Sequence, residues 1–263
     1  MRLSSLAIAA LALISTGCLD GLDTPQGKAG FITLDVLAAG VGEYAVRPFG
    51  VFYDETSLRF NRATPGQCAI LPYFDDDAQF NAGKTMNVGE NIVTSLPTGA
   101  NELLPATEFN FTFYRTTAAG GIPLVPGDTM SFTIIGGEGF PATSIADATP
   151  ESFTYADVPV PTVPEPITLE WTPPTVAGSI INFSLRYADD FANAEVNRQI
   201  TCWFEDTGAA VIPASFTDGW IRAKDDLREV SATRLRSKVA QVADDVELTM
   251  IATLSVPTEP ITP

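Results

Sequence analysis

Apolar side chains recur at every second residue along much of this chain, and this period of two constrains the fold more than any other feature. The longest such run extends from Val246 to Val256, and another places Ile181, Phe183 and Leu185 on one face. This period is typical of half-buried β-strands, whose successive side chains point to opposite faces. Similar runs cover residues 109–113, 130–134, 167–171 and 200–204. The sequence therefore predicts an all-β fold built from many short strands.

Two segments carry more specific expectations. In residues 109–113, the side chains of Phe109, Phe111 and Phe113 share one face of a predicted strand. Residues 225–242 place some apolar side chains at helical spacing, but β-branched and hydroxyl residues interrupt that pattern. We interpret this stretch as mostly strand, and residues 243–245 as a hairpin turn that leads into the last strand.

A proline-rich segment at residues 157–166 marks a boundary in the chain. Closely spaced prolines favour an extended connector between folded parts. Many short strands separated by turns, without alternating helices, are typical of β-sandwiches. We therefore expect two β-sandwich domains in tandem, at residues 29–156 and 167–257, followed by a tail at residues 258–263.

The first residues have the pattern of an export signal. Arg2 precedes an uncharged stretch from Leu3 to Ile14, which is too short to span a bilayer. The sequence ISTGC at residues 14–18 then resembles the lipobox of bacterial lipoproteins. That resemblance implies a signal peptide at residues 1–17, a lipid on Cys18 and a tether at residues 18–28 that spans at most about 35 Å. The alternative is an ordinary cleaved signal with a cysteine nearby by chance.

The residue after this cysteine bears on where the protein is held. In the lipoprotein family an aspartate at that place tends to retain the protein at the inner membrane, and here the place is occupied by Leu19. The resemblance thus implies a cell-envelope protein attached to a membrane by its N-terminal lipid. It favours the outer membrane, with the chain facing either the periplasm or the cell surface.

A second resemblance involves the C-terminal half. The segment PITLEWTPP at residues 166–174, followed by INFSLRYA at residues 181–188, resembles the second and third strands of a fibronectin type III or immunoglobulin-like domain. The combined layout is similar to that of uncharacterised two-sandwich lipoproteins of bacterial surfaces. The resemblance implies a sandwich fold and brings no catalytic residues with it.

The remaining cysteines, Cys68 and Cys202, form an even pair in a chain that we expect to be exported. An oxidising compartment favours a disulfide between them, and such a bond would join the two predicted domains. Cys202 shares a predicted buried face with Ile200 and Phe204, where a structural disulfide is expected. The alternative is that both are small buried residues too far apart to bond.

Charge and composition exclude several functions. The chain has 15 Lys and Arg against 32 Asp and Glu, a formal net charge of −17, so it repels nucleic acid at long range. It contains no histidine, which excludes Ser-His-Asp and Cys-His catalysis and the usual zinc enzymes. We therefore predict a protein that is not an enzyme and needs no cofactor.

Two groups of residues are candidates for ligand binding. Carboxylate oxygens suit calcium, so acidic clusters give a weak calcium hypothesis; these are Asp75, Asp76 and Asp77, and then Asp189 and Asp190. Ordinary solvated loops are the alternative. Among the tryptophans, Trp171 is predicted to lie in the core, whereas Trp203 and Trp220 are candidates for an exposed platform on which sugars stack. Packing against the neighbouring domain is the alternative for that pair.

These observations favour a lipid-anchored cell-envelope protein with a non-enzymatic structural, adhesion or assembly role toward a protein or glycan partner. The alternative function is an extracellular module that binds a glycan or a calcium-dependent ligand.

Overall fold

The structure is a computed structural model that describes residues 27–56, 60, 63–73, 84–189, 195–224 and 227–260. The predicted signal peptide, Cys18 and most of the predicted tether lie outside these residues. The described chain contains sixteen strands and one short α-helix, which confirms the all-β prediction. The strands are β1 (Gly27–Gly40), β2 (Glu43–Thr56), β3 (Gln67–Pro72), β4 (Lys84–Thr85), β5 (Ile92–Leu96), β6 (Gly99–Glu108), β7 (Phe111–Thr116), β8 (Ile122–Leu124), β9 (Thr129–Ile134), β10 (Thr143–Ala148), β11 (Ile167–Glu170), β12 (Ile180–Tyr187), β13 (Arg198–Glu205), β14 (Ala209–Ile212), β15 (Glu229–Ala243) and β16 (Val246–Pro260). A 3-10 turn at Ala214–Phe216 precedes the helix α1 (Asp218–Arg222).

The chain divides into two compact units that are both discontinuous in sequence. The first takes the described residues within Met1–Arg62, Asp77–Pro150 and Arg236–Thr253. The second takes those within Ala63–Asp76, Glu151–Leu235 and Leu254–Pro263. One division falls at residue 150, close to the predicted linker, but each unit also includes a segment from the other predicted domain. Local composition does not reveal such exchanges, because they depend on strand pairing over long sequence separations.

In the first unit the strand order is β10-β9-β5-β6-β7-β2-β1-β16, with β4 and β8 also paired to β2. Its longest strands, β1 and β2, form an antiparallel hairpin with Ile32 opposite Gly50 and Leu34 opposite Pro48. Both faces of β1 are buried, as the side chains of Phe31 and Ile32 show. A strand covered on both faces needs a nearly continuous apolar sequence, and β1 has one.

A buried tyrosine fixes a loop in the first unit. The hydroxyl of Tyr114 accepts a hydrogen bond from the backbone N–H of Val88 at 2.8 Å. It lies 2.9 Å from Asn87 Oδ1 and 2.8 Å from the carbonyl oxygen of Gly89, and its single proton is donated to these acceptors. Burial raises the pKa of Tyr114 above its usual value, so the phenol remains a donor.

One strand prediction in this unit is wrong. Residues 109–113 do not form a continuous strand, because Phe109 and Asn110 make the turn between β6 and β7 with positive φ angles of 49° and 66°. Glu108 pairs with Phe111 across that turn, and β7 begins only at Phe111. The apolar alternation continues through the turn, so periodicity alone does not detect it. A two-residue hairpin turn of type I′ requires positive φ at both positions, and Asn accepts this conformation far more readily than Phe does.

In the second unit the strand order is β16-β15-β12-β13-β3, and β11 pairs with β14 in a separate two-stranded sheet. The inward face of β12 carries Phe183, whose ring lies 5.4 Å from that of Trp171 at the end of β11. Trp171 is buried, as predicted. The second unit therefore has two β-layers with an aromatic core between them. The prediction that residues 225–242 are mostly strand, closed by a turn, is confirmed by β15 and β16.

The predicted disulfide between Cys68 and Cys202 is present. The two cysteines face each other directly on the paired strands β3 and β13, with Cα atoms 4.1 Å apart. Both residues belong to the second unit, so the expectation that the bond joins two domains is wrong. The bond instead fastens β3 to β13 at the end of the strand order.

Replacing both cysteines by alanine should lower the free energy of unfolding. The bond closes a loop with a sequence separation of 134 residues. In the chain-entropy model, losing such a cross-link costs about 4 to 5 kcal/mol. Urea denaturation, followed by the fluorescence of the second unit, measures the change. Amide hydrogen exchange should show that β3 loses protection first. Equal protection of β3 in the oxidised and cysteine-free proteins would contradict this account.

Candidate functional site

The outward face of the larger sheet in the second unit is the best candidate for a functional site. Side chains that alternate with the core residues of β3, β13, β12 and β15 point to this face, and most of those between the buried pair Ile180 and Leu235 and the other end of the sheet are polar. We call this surface the polar face; it consists of Gln67, Ala69, Leu71, Gln199, Thr201, Trp203, Asn182, Ser184, Arg186, Glu229, Ser231 and Thr233. On β12, Asn182 and Arg186 are half-buried on this face, whereas Ser184 between them is buried.

Hydrogen bonds hold the centre of the polar face in one arrangement. Asn182 Nδ2 donates to Thr201 Oγ1 at 2.8 Å and to the carbonyl oxygen of Cys202 at 3.1 Å. The Ser184 hydroxyl donates to Asn182 Oδ1 at 3.1 Å. These bonds fix the amide orientation of Asn182 and connect β12 to β13. The centre of the face thus presents hydroxyl and amide groups in fixed positions.

Aromatic rings lie at both ends of the polar face. Trp203 is half-buried at one end, in register with Gln67 on β3 and with Asn182 on β12. At the other end the guanidinium carbon of Arg186 lies 4.6 Å from the ring centre of Tyr73. Trp203 and Gln199 lie four residues apart on β13, a distance of about 13 Å along the strand. The face can therefore hold an extended ligand between two aromatic ends.

The charge on the polar face is small. One carboxylate belongs to Glu229, which lies 3.9 Å from the Nη1 atom of Arg186, and a second, that of the exposed Glu205, follows Trp203 in the same alternation on β13. Arg186 Nε is buried and makes no hydrogen bond within the described part of the chain. Hydroxyl, amide and aromatic groups with nearly balanced charge suit a neutral polyhydroxylated ligand or a polar protein surface better than a strongly charged one.

A buried ion pair lies on the opposite, inward face of the same sheet. Arg234 occupies a core position of β15, opposite Ile181, and only 1% of its side chain is exposed. Its Nε donates to Asp206 Oδ2 at 2.6 Å and its Nη2 to Asp206 Oδ1 at 3.0 Å. Its remaining N–H groups donate to the backbone carbonyl oxygens of Glu151, Ser152 and Thr172.

The carboxylate of Asp206 is also fully bonded. Besides Arg234, it accepts from Trp171 Nε1 at 2.7 Å and from the Ser179 hydroxyl at 2.6 Å. The ring of Phe153 covers the guanidinium at 4.7 Å. Since all five donors of the arginine and both carboxylate oxygens have partners, this pair is a structural element rather than a reactive one.

The prediction that Trp220 is exposed is wrong. Trp220 lies in α1 with 0% of its surface exposed, and its ring packs edge-on against Tyr187 at 6.4 Å. Arg228 covers it at 5.7 Å and donates from Nε to the carbonyl oxygen of Trp220 at 2.8 Å. A Cβ atom at Gly219 would lie 2.6 Å from the Tyr187 hydroxyl. Gly219 therefore permits the close packing of this helix against Tyr187, and Trp220 cannot join Trp203 in a sugar platform.

Of the predicted calcium ligands the structure describes Asp189 alone, so the calcium hypothesis stays a prediction. Asp75, Asp76, Asp77 and Asp190 lie outside the part of the chain that the structure describes. Asp189 receives hydrogen bonds from Arg198 Nε at 2.8 Å and from Asn197 Nδ2 at 2.6 Å, and these bonds lower the pKa of its carboxyl. Among the described residues, no group of three or more His, Cys, Asp or Glu side chains is placed to hold a metal ion.

Comparisons with known proteins add little to this description. No protein-family model matches the chain, and no curated protein matches it. Among solved structures, it is similar to a DUF4785 family protein from Legionella pneumophila, with 12% identity and a TM-score of 0.24. That alignment covers 72% of this chain and 48% of the other, so this chain spans about half the length of that protein. In the described residues, no helix has the length and apolarity needed to cross a membrane.

The sequence points to Trp203 as a binding residue, but not to the polar face as a site or to the ion pair beneath it. The sequence does contain a signal for Arg234. Val230, Ala232 and Arg234 lie two residues apart on β15 and therefore share its buried face. A charged residue in such a series indicates a buried partner. Its partner Asp206 has no comparable signal, since it follows β13 in a turn.

Replacing Arg234 by methionine should strongly destabilise the second unit. The substitution leaves the Asp206 carboxylate buried without its cation, and breaking a buried pair in this way costs about 3 to 5 kcal/mol. Urea denaturation measures the change. The matched control is Arg198→Met, which removes an ion pair with Asp189 on the surface and should leave stability unchanged. Equal unfolding midpoints for the two variants would contradict the structural role of Arg234.

Proposed function

We propose that this chain is a lipid-anchored cell-envelope protein with a non-enzymatic role in structure, adhesion or assembly. The single observation that carries the proposal is the Cys68–Cys202 disulfide. Structural disulfides form and persist in oxidising compartments, which include the bacterial periplasm and the cell surface. The disulfide therefore supports export, and the lipobox-like sequence ending at Cys18 supports attachment to a membrane after export.

The arrangement of ionisable groups supports a role in binding rather than in catalysis. The most deeply buried ion pair, between Arg234 and Asp206, is saturated with hydrogen bonds. The polar face, by contrast, offers fixed hydroxyl and amide groups over several strands. Such a surface suits contact with a protein or glycan partner of the envelope.

We further propose that the fold is a pair of immunoglobulin-like or fibronectin type III-like β-sandwiches. The two β-layers of the second unit support this, since β11 and β12 belong to different sheets. The contact of Trp171 with Phe183 across the layers is the kind of aromatic core that such sandwiches have.

Replacing Cys18 by serine should release the protein from membranes. In a bacterial host that processes lipoproteins, the parent chain should fractionate with membranes, and its intact mass should exceed that of a chain starting at Cys18 by the mass of the acyl groups. The variant lacks the sulfur that carries the lipid, so it should appear in the soluble fraction. The matched control replaces both Cys68 and Cys202 by serine and should stay with the membranes. A parent chain without added mass would refute the anchor.

A second candidate function is glycan binding on the polar face. The observation that favours it is the half-buried ring of Trp203 beside the fixed side chains of Asn182 and Thr201. An aromatic face bordered by hydroxyl and amide groups can stack on a sugar ring and hydrogen-bond its hydroxyls. This candidate keeps the predicted role of Trp203 and omits that of Trp220.

Replacing Trp203 by alanine tests the glycan hypothesis. If the parent chain is retarded in affinity gels containing neutral polysaccharides, the variant should bind about tenfold more weakly or worse, as truncation of a central aromatic contact generally does. The matched control is Val211→Ala, which truncates an exposed side chain on β14 in the other layer of the same unit. If neither the parent chain nor the control is retarded, glycan binding is excluded and a protein partner is favoured.

A further inference from the structure

The turn between β6 and β7 holds an unusual side chain. Phe109 is fully exposed, with a relative accessibility of 103%, and its φ angle is 49°. A bulky aromatic residue in the left-handed region is strained, and burial does not offset the strain here. The ring of Phe109 therefore projects into solvent at the tip of a hairpin, where it is available for a contact outside the chain.

This turn lies at one particular end of the first unit, as its neighbours show. Phe111, the first residue of β7, lies with its ring 6.4 Å from that of Tyr53 near the end of β2. Tyr53 pairs with Ala29, and Thr56 pairs with Gly27, the first residue of β1. The Phe109 turn therefore lies at the end of the first unit where the chain enters from its N-terminal segment.

The length of that N-terminal segment limits how far the entry end can stand from a membrane. If Cys18 carries a lipid, residues 18–28 reach at most about 35 Å when fully extended. The opposite end of the first unit is marked by Val41, which is fully exposed in the turn between β1 and β2. The fourteen residues of β1 separate the two ends by about 45 Å. The entry end is thus the end that the tether keeps close to the bilayer.

Two ion pairs near the turn lower the cost of approaching lipid, and the exposed Lys84 and Asp244 lie at the same end. Arg115 lies 3.9 Å from Glu108, and Lys28 binds Asp54 at 2.8 Å. Asp245 also lies at this end, since its carbonyl oxygen accepts a hydrogen bond from the backbone N–H of Lys28. With this carboxylate and a net charge of −17, zwitterionic headgroups are favoured over anionic ones.

We propose that the β6–β7 turn is a membrane-contact site that inserts the ring of Phe109 into the interface of a zwitterionic bilayer. The inference rests on the proposed lipid at Cys18, which supplies the stable attachment. The ring fixes which end of the first unit faces the lipid, because a single aromatic side chain binds a bilayer only weakly unless a tether holds it there.

Fluorescence of a tryptophan placed in the turn tests the proposal. The full lipidated chain, carrying Phe109→Trp, is reconstituted in phosphatidylcholine vesicles, and the emission of the parent chain is subtracted. We expect the added emission to be blue-shifted and to be lost when the vesicles contain brominated phosphatidylcholine. The matched control, Val41→Trp, should emit as a solvent-exposed tryptophan and should not be quenched. A nitroxide on Phe109→Cys provides a second measurement, and its accessibility to oxygen should exceed its accessibility to an aqueous nickel complex.

The intact mass of each reconstituted protein distinguishes failure of the lipid anchor from failure of the contact site. A lipidated Phe109→Trp chain that emits at the solvent wavelength and is not quenched overturns the contact site and leaves the anchor standing. Equal quenching at positions 109 and 41 also overturns it, because contact would then not be specific to one end. A chain without lipid overturns both the anchor and the contact site.

Discussion

The second unit depends on the ion pair between Arg234 and Asp206. An uncompensated charge in a core costs several kcal/mol, so the segments that surround this pair must supply every hydrogen bond that it needs. They include the backbone at Glu151 and Ser152 before β11, the carbonyl oxygen of Thr172 after β11, and the Ser179 hydroxyl before β12. The pair therefore selects one arrangement of loops that have little regular structure of their own.

The same ion pair helps to explain how the sheet in the second unit can have two very different faces. The inward face of β12, β13 and β15 holds the aromatic core, the disulfide and the buried charges. The outward face is then left to polar side chains, which contribute little to the core and can serve recognition. Because the backbone is held from the inside, hydrogen bonds such as that from Asn182 to Thr201 keep a fixed geometry at the surface.

The sequence is sufficient to predict strands such as β9, β12 and β16, because their period of two is a local property, whereas the nearly continuous apolar run of β1 has no such period. It is also sufficient to predict the disulfide and the buried face of Cys202, given an oxidising compartment. It does not reveal the turn at Phe109, where apolar alternation continues through a hairpin, or the burial of Trp220, where a glycine serves close packing instead of a turn. The polar face and the pairing of Arg234 with Asp206 depend on strand register between distant segments, and a single sequence carries no direct record of that register.

The disulfide has a consequence for the order in which the chain folds. β3 is among the first strands of the second unit to be synthesised, yet its partner β13 follows after most of the chain. Until residues 198–205 emerge, β3 lacks the strand with which it pairs in the folded structure. Pairing over such separations is slow, and unpaired strands are the segments most prone to join other chains. β3, the outermost strand of this sheet, is therefore synthesised early and paired late. Before the Cys68–Cys202 bond closes, the nascent chain is most exposed to aggregation with other chains.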